Sequence, residues 1–325
     1  MNISKQTVSC KVPGKLFFAG EYAVTKPEHL ALITTIASDF EVNISASKQK
    51  SVLKTNVGLP DFEFSLTKID FTKENPWNFA LTALQKTLTA SQECVSKISE
   101  QSLEICLEIQ SQMGFGEQKK GYGSSASVVC GVVNAVNAYF DLQLSLEQRF
   151  ELAAAAHFEV QGSGSMGDIA AIMYGGSVFY QNHSRIMPLE IPWATYVVQT
   201  GKAAKTAEKL EIELADEFYQ KSNELVIEIA TALDIQDFEL FKEKLSQNQL
   251  LLLENIPAGY MTPKLALALN LINTYPEFAG KISGAGFGEN VILFAQSEAP
   301  IKELQEKLEN EAISLEKFTI APKNN

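Results

Sequence analysis

Two lysines run into a glycine loop and the loop runs into serines: Lys119-Lys120-Gly121-Tyr122-Gly123-Ser124-Ser125-Ala126-Ser127. Lysine supplies positive charge, glycine lets a ligand approach the backbone, and serine supplies hydroxyls. Val128, Val132, Val136 and Phe140 follow at four-residue spacing, with Val129 and Val133 beside them, so a helix is expected to begin at the serines. The first N–H groups of a helix lack intrahelical partners, and its dipole is positive there. A polyanion suits such a cradle, and nucleotide phosphate is the first ligand to consider. A serine N-cap after a glycine turn would read the same way.

Known phosphate motifs narrow the choice. A Walker loop places its lysine after the glycines, whereas Lys119 and Lys120 precede them. A dinucleotide fingerprint is matched by Gly121, Gly123 and Ala126, with Asp141 further on. That fingerprint also requires a strand leading into the glycines and an acid ending a second strand. Here the preceding residues are charged and Asp141 lies between two helical patterns. A dinucleotide-binding oxidoreductase is therefore a distant alternative.

The elements that must position this loop fit in 325 residues, enough for one large or two moderate domains. With 46% hydrophobic and 20% charged residues, the composition is that of an ordinary globular chain. There is no apolar run long enough for a membrane span, and residues 1–10 lack a signal-peptide core. Cys10, Cys94, Cys106 and Cys130 form no C-x-x-C pair, and three histidines make no zinc cluster. A reduced, cytoplasmic protein is expected. The net charge of −12 argues against nucleic-acid binding by general electrostatics. A local basic pocket can still take small anions. The acids Glu208, Glu211, Glu213, Asp216 and Glu217 read as solvated helix faces.

In the first half, strands are expected over 7–12, 15–19, 62–66, 103–109 and 177–180, with one long strand or a strand pair over 30–47. A helix is expected over 77–95. Ser145 and Gln148 form a capping box that opens a further helix. In the second half a strand near 195–200 precedes helical periodicity from 204 to about 255. A helix over 263–275, a strand over 288–294 and a helix over 299–311 follow. The connection from 181 to 192 is the natural boundary. Strands mixed with packed helices indicate α+β domains, not a doubly wound sheet.

Two further stretches carry candidate chemistry. Pro13-Gly14-Lys15 leads through an apolar strand to Gly20-Glu21-Tyr22, which points a cation and a carboxylate towards one end. Lys281-Ile282-Ser283-Gly284-Ala285-Gly286-Phe287-Gly288 is a second glycine loop, leading into an apolar strand. These three elements, in this order, resemble the GHMP kinases. That family carries a Pro-Gly-Lys…Gly-Glu motif, a central Gly-Leu-Gly-Ser-Ser-Ala motif and a C-terminal glycine loop. The resemblance covers most of the chain. Within the family the chain is most similar to the bacterial-type phosphomevalonate kinases. Tyr22 follows Glu21 where mevalonate kinases usually have His, and Lys119-Lys120 precedes the central glycines. Gln161-Gly162-Ser163-Gly164-Ser165-Met166-Gly167-Asp168-Ile169-Ala170 and Gly201-Lys202-Ala203-Ala204-Lys205-Thr206 resemble segments of that group, although Lys205 stands where a small hydroxyl residue is common.

The resemblance implies a two-domain α+β fold. Residues 1–185 would form a ribosomal-protein-S5-domain-2-like domain and residues 186–325 a ferredoxin-like α/β sandwich. It implies ATP and Mg²⁺ as cofactors and ATP-dependent phosphorylation of (R)-5-phosphomevalonate to 5-diphosphomevalonate. The chain would be a monomer or homodimer, with no nucleic-acid or membrane partner. Lys15, Lys120 and Asp168 would be catalytic. Lys119, Gly121, Gly123, Ser124, Ser125, Ala126 and Ser127 would hold ATP, with Ser125 ligating the metal. Glu21, Tyr22, Ser163, Ser165, Lys202, Ser283, Gly284, Ala285 and Gly286 would face the acceptor. Tyr122 stands where Leu is usual, Phe287 where Gly is usual, and His157 near where mevalonate kinases place a metal-binding Glu. That Glu cannot be carried over. Mevalonate kinase is the nearest alternative. Diphosphomevalonate decarboxylase lacks the lysine found here at Lys15, and a catalytically dead relative would not need Lys15, Ser125 and Asp168 intact.

Overall fold

The computed structural model describes residues 7–69, 72, 74–113, 120–201, 212–288 and 290–324. Lys119, Lys202, Lys205, Glu208 and Glu211 lie outside the described residues.

Alternating burial along β1 (Val8–Ala19) turns Val12, Leu16 and Phe18 inwards. The 30–47 segment is one long strand, β2 (Leu30–Ala46), which pairs along most of its length with β1. Its other edge is shared by β5 (Ile105–Gln110) and β6 (Ser177–Gln181). The short strands β3 (Ser51–Thr55), β4 (Phe62–Phe64) and β7 (Arg185–Leu189) complete this sheet in the order β4-β3-β5-β2-β6-β7, with β1 on β2. Five helices accompany the sheet among the described residues: α1 (Asn78–Thr89), α2 (Gln92–Gln101), α3 (Ser124–Tyr139), α4 (Leu146–Gln161) and α5 (Gly167–Tyr174). The central α3 carries mostly small and β-branched apolar residues, and Val129, Val132, Val133 and Val136 are fully buried.

The expected helix over 77–95 is two helices. Ser91 breaks it because its hydroxyl accepts from the Cys94 N–H and caps α2. The long helical stretch of the second half is likewise divided. Gln236 takes a left-handed backbone, and Asp237 caps the next helix.

The second sheet is antiparallel, in the order β11-β8-β10-β9: β8 (Ala194–Gln199), β9 (Phe278–Ser283), β10 (Asn290–Ala295) and β11 (Ser314–Lys317). Numbered within the domain, that order is 4-1-3-2. The helices α6 (Asp216–Asp234), α7 (Phe238–Asn255) and α8 (Pro263–Ile272) fall between its first two strands, and α9 (Ile301–Glu309) between its last two. This is the βαββαβ pattern with extra helices in the first crossover.

The two sheets share apolar core. Phe18 of β1 meets Phe294 of β10 edge to face at 5.4 Å, and Phe241 of α7 meets Phe294 at 4.9 Å. The chain end returns to the first sheet: Gly176 N–H donates to Ala321 O and Asn324 N–H to Tyr174 O. We place the division between sheets in the connection from Leu189 to Ala194. Among the described residues no helix is long and apolar enough to cross a membrane.

Candidate active site

The three glycine-bearing segments converge. The Lys15 N–H donates to Tyr122 O at 3.0 Å, which docks β1 on the phosphate-type loop. Lys15 lies between two register shifts in the β1–β2 pairing, at Val12/Gly14 and Phe17/Ala19. Such bulges re-aim side chains next to functional sites. The Lys15 side chain then runs across Gly123. A Cβ there would stand 2.8 Å from Lys15 Cε and 3.1 Å from Cγ, and Gly123 has φ +78. Glycine is therefore required twice over, for backbone conformation and for the lysine's path.

Gly123 is the N-cap of α3, with no side-chain cap bond. Ser124 and Ser125 thus occupy the first helical turn, where N–H groups are free to meet an anion. Ser127 differs from expectation. It is fully buried, and its hydroxyl donates to Pro13 O and Gly123 O, so it fastens the loop to β1. The Tyr122 hydroxyl accepts from Gln199 Nε2, and Lys120 O accepts from Asn290 Nδ2 at 2.7 Å. Both bonds tie the loop to the second domain. Burial pushes the Tyr122 pKa up to about 12. The Lys120 side chain is exposed and lines neither cavity described below.

A cleft of about 310 Å³ gathers Lys15, Glu21, Tyr22, Ser165, Asp168, Gly284 and Ala285, with His157, Gln161 and Met166 in its wall. Asp168 is in the first turn of α5, and its Oδ1 accepts from the Ile169 N–H at 2.9 Å. Among the described residues, no Lys15–Asp168 ion pair forms within 4 Å, although both face this cleft. Ser165 Oγ accepts from the Gly167 N–H, and Ser165 O accepts from the Tyr180 hydroxyl. Ser163, Ser283 and Gly286 lie outside the cleft lining. Ser283 is buried at the end of β9, and a Cβ on Gly286 would enter the Tyr260 ring at 2.2 Å.

A second cavity, about 260 Å³ and mostly apolar, has Phe40, Val57, Trp77, Phe79 and Val128 in its wall with Ser124 and Ser125. No sequence signal marked it, because its residues come from five separate segments. His157 separates the two cavities. Its Nε2 is 3.3 Å from Ser125 Oγ, and its ring lies 5.1 Å from that of Phe79. Burial lowers its pKa, with Asp168 pulling the other way.

Glu21 and Lys281 form a buried ion pair at 2.6 Å. Burial lowers the Lys281 pKa, and Glu21 opposes the fall. The Tyr22 hydroxyl donates to Ala285 O at 2.6 Å, which seals the second glycine loop to the first domain.

The dinucleotide reading fails here. Asp141 follows a helix in a turn and ends no strand. Fold and site together describe a two-domain protein with a glycine loop at a helix N-terminus beside two cavities, an arrangement open to a phosphotransferase. The family descriptions "GHMP kinases N terminal domain" and "GHMP kinases C terminal" match residues 79–176 and 229–314. The chain belongs to the GHMP kinase family and has its two-domain fold.

Its relatives include a phosphomevalonate kinase of Streptomyces sp. (strain CL190), 26% identical, covering 92% of both chains. A mevalonate kinase of Archaeoglobus fulgidus is 25% identical over 94% of this chain and 98% of its own. Among solved structures, Streptococcus pneumoniae phosphomevalonate kinase with phosphomevalonate and AMPPNP superposes with a TM-score of 0.82. It is 24% identical and covers 95% of this chain and 99% of its own.

Proposed function

We propose that this chain transfers the γ-phosphoryl group of ATP to (R)-5-phosphomevalonate, giving 5-diphosphomevalonate and ADP in the mevalonate pathway of isoprenoid biosynthesis. The observation that carries the reading is the pair of cavities meeting at Ser125 and His157 beside the N-terminus of α3. The apolar cavity suits a purine and the loop suits phosphates. The Lys15 cleft suits an anionic acceptor. The similarity to a phosphomevalonate kinase over nearly the whole chain supports the choice of acceptor.

The acceptor is a phosphate monoester whose second pKa is about 6, so at neutral pH it is largely a dianion without a proton to remove. One of its oxygens attacks the γ-phosphorus, and the bond to the bridging oxygen of ADP breaks. The obstacle is charge. Lys15 neutralises the oxygens between donor and acceptor, and the first N–H groups of α3 hold the transferring group. A neutral imidazole at Ser125, in place of a carboxylate, adds no repulsion. Among the described residues, Asp168 is the cleft carboxylate without an ion-pair partner within 4 Å. It sets the charge balance opposite Lys15 and needs no role as base.

Among the described residues, no group of three His, Cys, Asp or Glu gathers to hold an ion. Mg²⁺ fits nonetheless, since it keeps waters and phosphate oxygens and takes only one or two protein ligands. Ser125 would be one of those ligands, and the ion would supply positive charge to the phosphates when bound. Coupled ADP release with mevalonate, phosphomevalonate, galactose and homoserine tests the reading. Phosphomevalonate is expected to give the highest kcat/KM, and preference for any other acceptor refutes it.

Mevalonate kinase is the second reading, favoured by the Archaeoglobus relative. There Asp168 would act as base towards the alcohol.

A further inference from the structure

A wholly buried lysine stands behind the acceptor cleft. Lys281 has 0% exposure and Glu21 4%, and they come from positions 260 residues apart. Glu21 follows β1 and lines the cleft, whereas Lys281 sits on β9 and does not. The tie is reciprocal. Lys281 reaches into the first domain, and Tyr22 reaches back to Ala285 O. Lys281 also donates to Ile282 O at 2.9 Å, which limits the ammonium to one position. On the carboxylate, Oε1 takes the lysine while Oε2 is buried without a partner.

Stability is a poor reason for this pair. A buried ion pair often does no better than apolar residues of similar volume. Charge is a better reason. A lone carboxylate in the wall would repel an anionic acceptor in a poorly screened cleft. A buried ammonium in contact with it cancels that charge.

We propose that Lys281 is a positioning residue for the acceptor: it fixes the Glu21 carboxylate and cancels its charge, so that an anionic acceptor can sit in the cleft that Glu21 lines. The inference rests on the anionic-acceptor reading above, and phosphomevalonate and mevalonate both meet it, each carrying a carboxylate. Lys281 acts only through Glu21.

The test compares Lys281→Met with the double variant Lys281→Met/Glu21→Gln, by steady-state kinetics and thermal unfolding. The single variant leaves a buried charge uncompensated and is expected to unfold at lower temperature. At a temperature where it remains folded, KM for the acceptor should rise at least about tenfold, with KM for ATP within about threefold of the parent. The double variant, neutral at both positions, should recover acceptor KM to within about threefold. A scaffolding role alone predicts that both KM values and kcat worsen together, and that result overturns the proposal. So does an unchanged acceptor KM in Lys281→Met, or a double variant as poor as the single. If mevalonate proves the true acceptor, the phosphomevalonate reading falls. The same comparison run with mevalonate then decides the Lys281 role, because repulsion acts on any anionic acceptor.

Discussion

Replacing Gly123 by Ala should separate the two duties of that glycine. The backbone there has φ +78, and the left-handed conformation costs a residue with a Cβ roughly 1–2 kcal/mol. The added methyl would also lie 2.8 Å from Lys15 Cε and 3.1 Å from Cγ, closer than carbon atoms pack. Two successive parts of the lysine stem must therefore move, and the ammonium moves with them. A shift of about 1 Å at a reacting group can cost on the order of a hundredfold in rate. Losing one preorganised charge costs about 3–4 kcal/mol. Gly123→Ala should therefore lower kcat at least about a hundredfold, with a stability loss near 1–2 kcal/mol. Gly58→Ala is the control, since Gly58 has φ +84 but no atom within 4 Å of a built Cβ. It should lose similar stability and keep kcat within about twofold. The checks are ADP release at saturating substrates and denaturant unfolding of both variants. Gly123→Ala with stability like Gly58→Ala and near-parental kcat would refute the claim that this glycine sets the path of Lys15.

Three further outcomes are expected. Lys15→Met should lower kcat at least about a hundredfold with the fold intact, whereas Lys120→Met, at an exposed side chain outside both cavities, should cost no more than about tenfold; kcat and circular dichroism decide. Ser125→Ala should raise the Mg²⁺ concentration needed for half-maximal rate. Ser124→Ala should change stability by less than about 0.5 kcal/mol, because Gly123 rather than a serine side chain caps α3. His157 has its pKa held below the usual 6.5 by burial, so the unfolded chain takes up a proton that the folded one refuses. Its contribution to stability is present above that pH and is lost as pH falls below it. Thermal unfolding of His157→Gln between about pH 7.5 and 5 should decline less steeply than the parent.

Motifs placed much of the cleft, and contacts explain the rest. Lys15, Glu21, Tyr22, Ser165, Asp168, Gly284 and Ala285 sit in short sequence signatures and meet in one cavity. The capping box at Ser145 and Gln148 was legible because both of its bonds are local. Ser127 was legible only as part of a loop. That its hydroxyl turns to Pro13 depends on the β1 bulge, which no spacing reveals. Lys281 looked like the start of a glycine loop, since its partner Glu21 lies 260 residues away. The apolar cavity draws on β2, the β3–β4 stretch, α1, the end of β5 and α3, which come together only in the fold. Short strands such as β3, β7 and β11 went unmarked because few residues define a period of two. The second sheet's strand order needed the fold itself, because it depends on pairing between distant segments.

The central claim is that phosphate, not alcohol, accepts the γ-phosphoryl group. The most direct measurement is the ³¹P spectrum of the product formed from an equimolar mixture of mevalonate and phosphomevalonate with limiting ATP. The account predicts a pair of mutually coupled resonances from a new diphosphate, with mevalonate left unchanged. A growing phosphomonoester resonance from mevalonate, with no new diphosphate beyond ADP, would contradict it.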